Sequence, residues 1–205
     1  MDKKEGLRVL CRKIPRNRLI SLGILVLLMV AATVMNPAFL TADNLLGILA
    51  QNSARGILAL GATFVLMTGG IDLAAENGLT MIAVVASVSH IMTGENLLVL
   101  FGGCLILGAA LGCVNGLLIT RLRLLPFVAT LAMMSIAQGI TLFASEGKIM
   151  FLNHPVTVFI GSGKLFHIIP MPVVIFAGMC VVAYILLNKT KMGTAVYALG
   201  GNKEA

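Results

Sequence analysis

Two polar side chains stand where an apolar chain can least accommodate them. Asp72 follows Thr68, Gly69 and Gly70 between two apolar runs, and Asn115 lies inside another. A carboxylate near or within a bilayer is costly unless it is capped, paired or used. As the N-cap of a helix, Asp72 would accept from the N–H of Ala74 or Ala75, with Glu76 adding favourable charge in the first turn. The same carboxylate could line a polar route, and the two roles are compatible. Asn115 offers a parallel choice, because an amide at that depth either bonds a neighbouring helix or lines a passage. It belongs to the run Gly108-Ala109-Ala110-Leu111-Gly112-Cys113-Val114-Asn115-Gly116. Gly108, Gly112 and Gly116 at spacing four make a small-residue face that predicts close packing on another helix.

No catalytic grouping accompanies these residues. The chain has no Walker A loop, HExxH, GxSxG or Ser/His/Asp set on one side of the membrane, so no catalytic residue and no metal ligand is expected. A single acid without a positioned partner is not an acid–base pair, which argues against a membrane enzyme built on Asp72. His154 and His167 receive no chemical role. Cys11, Cys104, Cys113 and Cys180 show no CxxC pair, so neither a disulfide framework nor a metal site is expected.

The elements that must hold Asp72 and Asn115 are membrane spans. The sequence is 59% hydrophobic and 11% charged, whereas soluble domains are about 45–50% apolar and about 25% charged. Apolar runs reach the roughly 20 residues that a helix needs to cross the hydrocarbon core. The pattern predicts an all-α polytopic bundle with about six spans, near 19–35, 54–70, 78–92, 97–120, 126–145 and 171–188. Residues 1–18 form a basic N-terminal segment, 19–188 the membrane domain and 189–205 a closing polar segment. The first run is too long for a signal-peptide core and lacks a small-residue cleavage site, so a retained anchor is expected. Between it and the second span, Asn36-Pro37 ends a helix. Ala42-Asp43-Asn44 then caps a short segment whose Leu45, Leu46 and Leu49 lie along the membrane surface, and Gln51, Asn52, Ser53 and Arg55 mark the outer mouth of the second span.

The net charge of +7 is topogenic rather than a nucleic-acid footprint. Lys3, Lys4, Arg8, Arg12, Lys13, Arg16 and Arg18 precede the first span, Arg121 and Arg123 join the fourth to the fifth, and Lys189, Lys191 and Lys203 come after the last. This bias places both termini in the cytoplasm and leaves Lys148 and Lys164 outside. The connection from Gly69 to Asn77 breaks the pattern: it should be cytoplasmic, yet it carries Asp72 and Glu76 and no cation. The physical reading is a loop recessed into the protein and lining a cavity. The outside segment 146–169, with Phe151, His154, Phe159, Phe166 and His167, reads equally as an interfacial piece or a solvated loop with an aromatic edge.

Several stretches together resemble the sugar-type permease subunits of bacterial ABC importers, in the ribose, galactose, xylose and autoinducer-2 branch. They are Ile57–Thr63 leading to Thr68-Gly69-Gly70-Ile71-Asp72-Leu73, Asn115–Ile119, Pro126–Leu131, and Asn188–Gly193 through Ala198-Leu199-Gly200-Gly201-Asn202-Lys203-Glu204-Ala205. The resemblance implies a helical, multi-pass permease of the bacterial inner membrane that forms a translocation pathway for a monosaccharide or similar small polar solute. It implies a second permease subunit, a cytoplasmic ABC ATPase that alone uses ATP, and a periplasmic or lipid-anchored sugar-binding protein. It makes Gly200, Gly201, Asn202, Glu204 and Ala205 the opening of the helix that couples to the ATPase. The chain departs from the family pattern in having Ala74 and Glu76 where Ser and Gly are usual. Family members also continue with further spans beyond the coupling helix, so the chain resembles an N-terminal portion. The rival expectation is an ATP-independent carrier or channel that uses Asp72 and Asn115.

Overall fold

The computed structural model describes residues 16–201. The chain divides into two compact units, Met1–Leu49 and Ala50–Ala205. The basic residues Lys3 to Lys13 and the stretch Asn202–Ala205 lie outside the described residues.

In the first unit, helix α1 (Arg16–Met35) is an apolar rod that ends where Asn36 precedes Pro37. Asn36 Oδ1 accepts from the Ala38 N–H at 3.0 Å and starts a 3-10 turn, Pro37–Leu40. Thr41 comes next, its Oγ1 accepting from the Asn44 N–H at 3.4 Å, and Asn44 Nδ2 donates to the Phe39 carbonyl at 2.7 Å. Helix α2 runs from there as one element, Ala42–Met67. The expected surface segment and separate second span are therefore continuous. Neither Pro nor paired Gly interrupts Gln51-Asn52-Ser53, and Ser53 is buried, so a polar patch that reads as a boundary is carried inside the helix.

The second unit is organised around α3 (Ala75–Met92), which packs on both α4 (Leu97–Thr120) and α5 (Pro126–Ser145). Small residues set the α3–α4 approach. Gly78 faces Leu111, Gly108 faces Ile82 and Gly103 faces Ala86, so the two helices run antiparallel with a small residue at each crossing. Against α5, Asn77 Nδ2 reaches the Met134 carbonyl at 3.4 Å. Pro126 opens α5 at a first-turn position, where its missing N–H breaks no helical bond.

At the opposite end of α3, His90 is 1% exposed, and its Nδ1 lies 3.0 Å from the Asn96 carbonyl across the turn into α4. Its ring meets that of His154 edge-on, with centroids 6.1 Å apart. His154 in turn caps helix α6 (Pro155–Ser162), Nδ1 accepting from the Val156 N–H at 3.2 Å. The segment 146–169 is thus partly helical, and α6 packs on the later helix α7 (Met171–Lys189). A two-residue hairpin of β1 (Lys164–Leu165) and β2 (Ile169–Pro170) joins α6 to α7, and α8 (Lys191–Gly201) completes the order.

Among the described residues, six helices, α1 to α5 and α7, are long and apolar enough to cross a membrane. The all-α polytopic bundle expected from the sequence is what the chain forms.

Candidate functional site

The loop between α2 and α3 is built as a tight turn. As α2 ends, the N–H groups of Thr68 and Gly70 both donate to the Val65 carbonyl, at 3.1 Å each, and Gly69 donates to Leu66 at 2.9 Å. Gly69 has φ +77°, which glycine adopts without strain. Thr68 Oγ1 adds a bond to the Val65 carbonyl at 2.8 Å. The chain then straightens, and Asp72 accepts from the Ala74 N–H at 2.9 Å, an Asx turn just before α3. The capping chemistry expected of Asp72 is present, two residues ahead of the formal cap, which is the fully buried Ala74.

This loop forms one wall of a cavity of about 390 Å³. Thr68, Gly69, Gly70, Ile71 and Asp72 line it from the loop, Leu111, Gly112, Asn115, Gly116 and Ile119 from α4, and Pro126 and Thr130 from α5. The five residues singled out from sequence as pathway or loop candidates, Thr68, Gly69, Gly70, Asp72 and Asn115, therefore meet around one space. Thr130 is the member that sequence reasoning missed. It is buried, and its Oγ1 donates either to the Pro126 carbonyl at 2.8 Å or to the Ile71 carbonyl at 3.2 Å, which ties the loop to α5.

Asn115 is 8% exposed, and its Oδ1 accepts no hydrogen bond. The helix period explains its position. Leu111 meets α3 at Gly78, close to the start of that helix at Ala75, and Asn115 lies one turn further along α4. A buried carbonyl without a partner carries a desolvation penalty of about 1–3 kcal/mol, which any donor brought to it would relieve.

The expected glycine face is corrected by the same geometry. Gly108 contacts Ile82 of α3, but nothing approaches within 4 Å of a Cβ built on Gly112 or Gly116. The face that packs runs through Gly103, Gly108 and Leu111, so Gly112 and Gly116 turn away from α3 and border the cavity instead.

Gly200 and Gly201 are the last described residues of α8, and Asn202, Glu204 and Ala205 lie outside the described residues. A Cβ on Gly200 would land on the Met67 carbonyl oxygen, so α8 at Gly200 abuts the last residue of α2. Gly201 has open space around it.

The continuity of α2 also relocates Arg55, from the mouth of a span to midway along a helix. It borders a groove of about 350 Å³ shared with Asp72 and Glu76, and makes no ion pair among the described residues. The capping pattern at Thr41 was the sequence signal that would have located it.

The family of branched-chain amino acid transport system permease components matches this chain over residues 44–205. The ribose import permease protein RbsC of Escherichia coli (strain K12) is 35% identical over 188 residues, covering 90% of this chain and 58% of that protein. RbsC of Bacillus subtilis (strain 168) is 37% identical over 192 residues, covering 88% of this chain and 56% of its own length. The L-arabinose ABC transporter permease protein AraH of Azospirillum brasilense is 36% identical over 169 residues, with coverages of 82% and 49%. The chain thus spans 58% or less of the length of these relatives. No solved structure matches it.

Proposed function

From the premise that this chain belongs to the family of branched-chain amino acid transport system permease components, we propose that it is the pathway-forming permease subunit of an ATP-driven importer for a monosaccharide. It works in the bacterial inner membrane, with both termini in the cytoplasm. The observation that carries the reading is Asn115, whose buried carbonyl has no partner, in the wall of a cavity otherwise formed by the Thr68–Asp72 loop and Thr130. A buried acceptor beside a carboxylate suits a solute rich in hydroxyl donors.

The family description names branched-chain amino acids, and the cavity's chemistry favours a sugar over them. A zwitterion would bring an ammonium that Asp72 could pair with but also a carboxylate, for which the described lining of the cavity offers no Lys or Arg. An unpaired carboxylate beside another carboxylate in a low-dielectric site is strongly unfavourable. A neutral polyol meets no such repulsion. The relatives named for ribose and arabinose support the same class.

In this reading the chain's own residues supply a path, and partners supply the energy. A second permease subunit completes the pathway, a sugar-binding protein delivers solute on the outer side, and an ATPase, which alone uses ATP, engages the end of α8 with Asn202, Glu204 and Ala205. Closure of the ATPase reorients the helices so that the cavity opens to one side and then the other. Reconstitution tests it: the protein with its ATPase and binding protein should accumulate labelled ribose only with ATP. Uptake driven by an ion gradient without ATP or ATPase would overturn the proposal in favour of a self-sufficient carrier.

A further inference from the structure

Helix α8 is docked at Gly193 and at Gly200 by backbone-to-backbone contacts that only glycine permits. At its start, a Cβ on Gly193 would strike the Leu187 carbonyl at the end of α7. There Thr190 Oγ1 donates to the Leu186 carbonyl at 2.6 Å and accepts from the Gly193 N–H at 3.4 Å. Further along, Gly200 abuts the Met67 carbonyl of α2. Gly193 and Gly200 lie two turns apart, so they share one face, and Val196 between them is buried. The outer face keeps Met192 and Tyr197 exposed.

The cavity wall begins at the residue after Met67. Thr68, Gly69 and Gly70 are folded back onto Val65 and Leu66 by four hydrogen bonds, so this stretch has little slack to absorb a displacement. The next residue, Ile71, is held by Thr130, and Asp72 by Ala74. We infer that the Gly200–Met67 contact is the point at which a displacement of α8 is delivered to the Thr68–Asp72 loop, making Gly200 a positioning residue for the cavity. The inference rests on the reading of α8's end as the ATPase-coupling segment. It adds a route and a residue: the push enters the pathway through the last carbonyl of α2, with no side chain in between.

The test uses the full protein with its native cysteines replaced by alanine and Ile71→Cys as a reporter on the cavity wall. Gly200→Ala should change the rate of alkylation at position 71 by about threefold or more, whereas Gly201→Ala, in open space, leaves it alone. In the assembled transporter, Gly200→Ala should lower uptake per ATP hydrolysed by about tenfold while the ATPase still co-purifies. If Gly200→Ala fails to insert, spin labels at Tyr197→Cys and Ile71→Cys read the same link without it. Their separation should stay fixed through the ATP cycle while that from Tyr197→Cys to Glu146→Cys changes. Unchanged alkylation and uptake in Gly200→Ala, or a 197–71 separation that varies with nucleotide, would overturn the inference. Failure of the unaltered protein to bind an ATPase would instead overturn the coupling reading, and the alkylation response would then stand as the measure of the contact.

Discussion

Asn115 separates two roles that an amide in a membrane helix can play. As glue it would bond across helices, and Asn115→Leu would destabilise the protein. With its carbonyl buried and unbonded, replacement by an apolar residue removes a desolvated acceptor of about 1–3 kcal/mol. Asn115→Leu should therefore leave the thermal midpoint in detergent unchanged or raised, while ribose uptake falls sharply. A midpoint several degrees lower would return Asn115 to a structural role. The sequence made Asp72 and Asn115 visible because a polar group inside an apolar run has few explanations. It could not make Thr130 visible, since a threonine in a membrane helix ordinarily satisfies itself on its own helix, and Thr130 does so at Pro126 while also reaching Ile71. The pairing of His90 with His154 was likewise illegible, because only the fold brings them together.

The helices were legible wherever an apolar run was bounded by Pro, Gly or charge, as at Pro126 and Arg121. The start of α2 was not, because Gln51, Asn52 and Arg55 imitate a boundary while the helix continues through them. The glycine face of α4 was half legible: spacing four located small residues but not which of the adjoining faces α3 would meet. That packing makes its own prediction. Ala86 is fully enclosed opposite Gly103, so Ala86→Leu overpacks the α3–α4 contact and should destabilise by about 1–3 kcal/mol. Ala109→Leu, on an exposed part of α4, should have no such effect. Thermal midpoints of the two variants in the same detergent decide it, and equal losses would mean that α3 and α4 are not packed as described.

Across the described chain, the spans remain largely uncovered by protein: even α3, the most enclosed, has 28% of its apolar window buried, and α1 has none. Lipid or further subunits must cover the rest. Orientation is testable at this scale. In spheroplasts of a cysteine-free background, Thr93→Cys and Lys148→Cys should react with a membrane-impermeant thiol reagent from outside. Arg121→Cys and Lys189→Cys should react only after lysis. Labelling of Arg121→Cys in intact spheroplasts would invert the topology and with it the placing of α8 beside an ATPase. The contacts along α3 also bear on how such an assembly moves. At two of the three crossings a glycine receives a large side chain, Leu111 over Gly78 and Ile82 over Gly108, and at the third Gly103 meets Ala86. Deep interdigitating side chains work like gear teeth, and must change rotamer before one helix can pass another. Leu111 over Gly78 and Ile82 over Gly108 are two such teeth, so sliding of α3 past α4 is resisted along their length and the pair should move as one body.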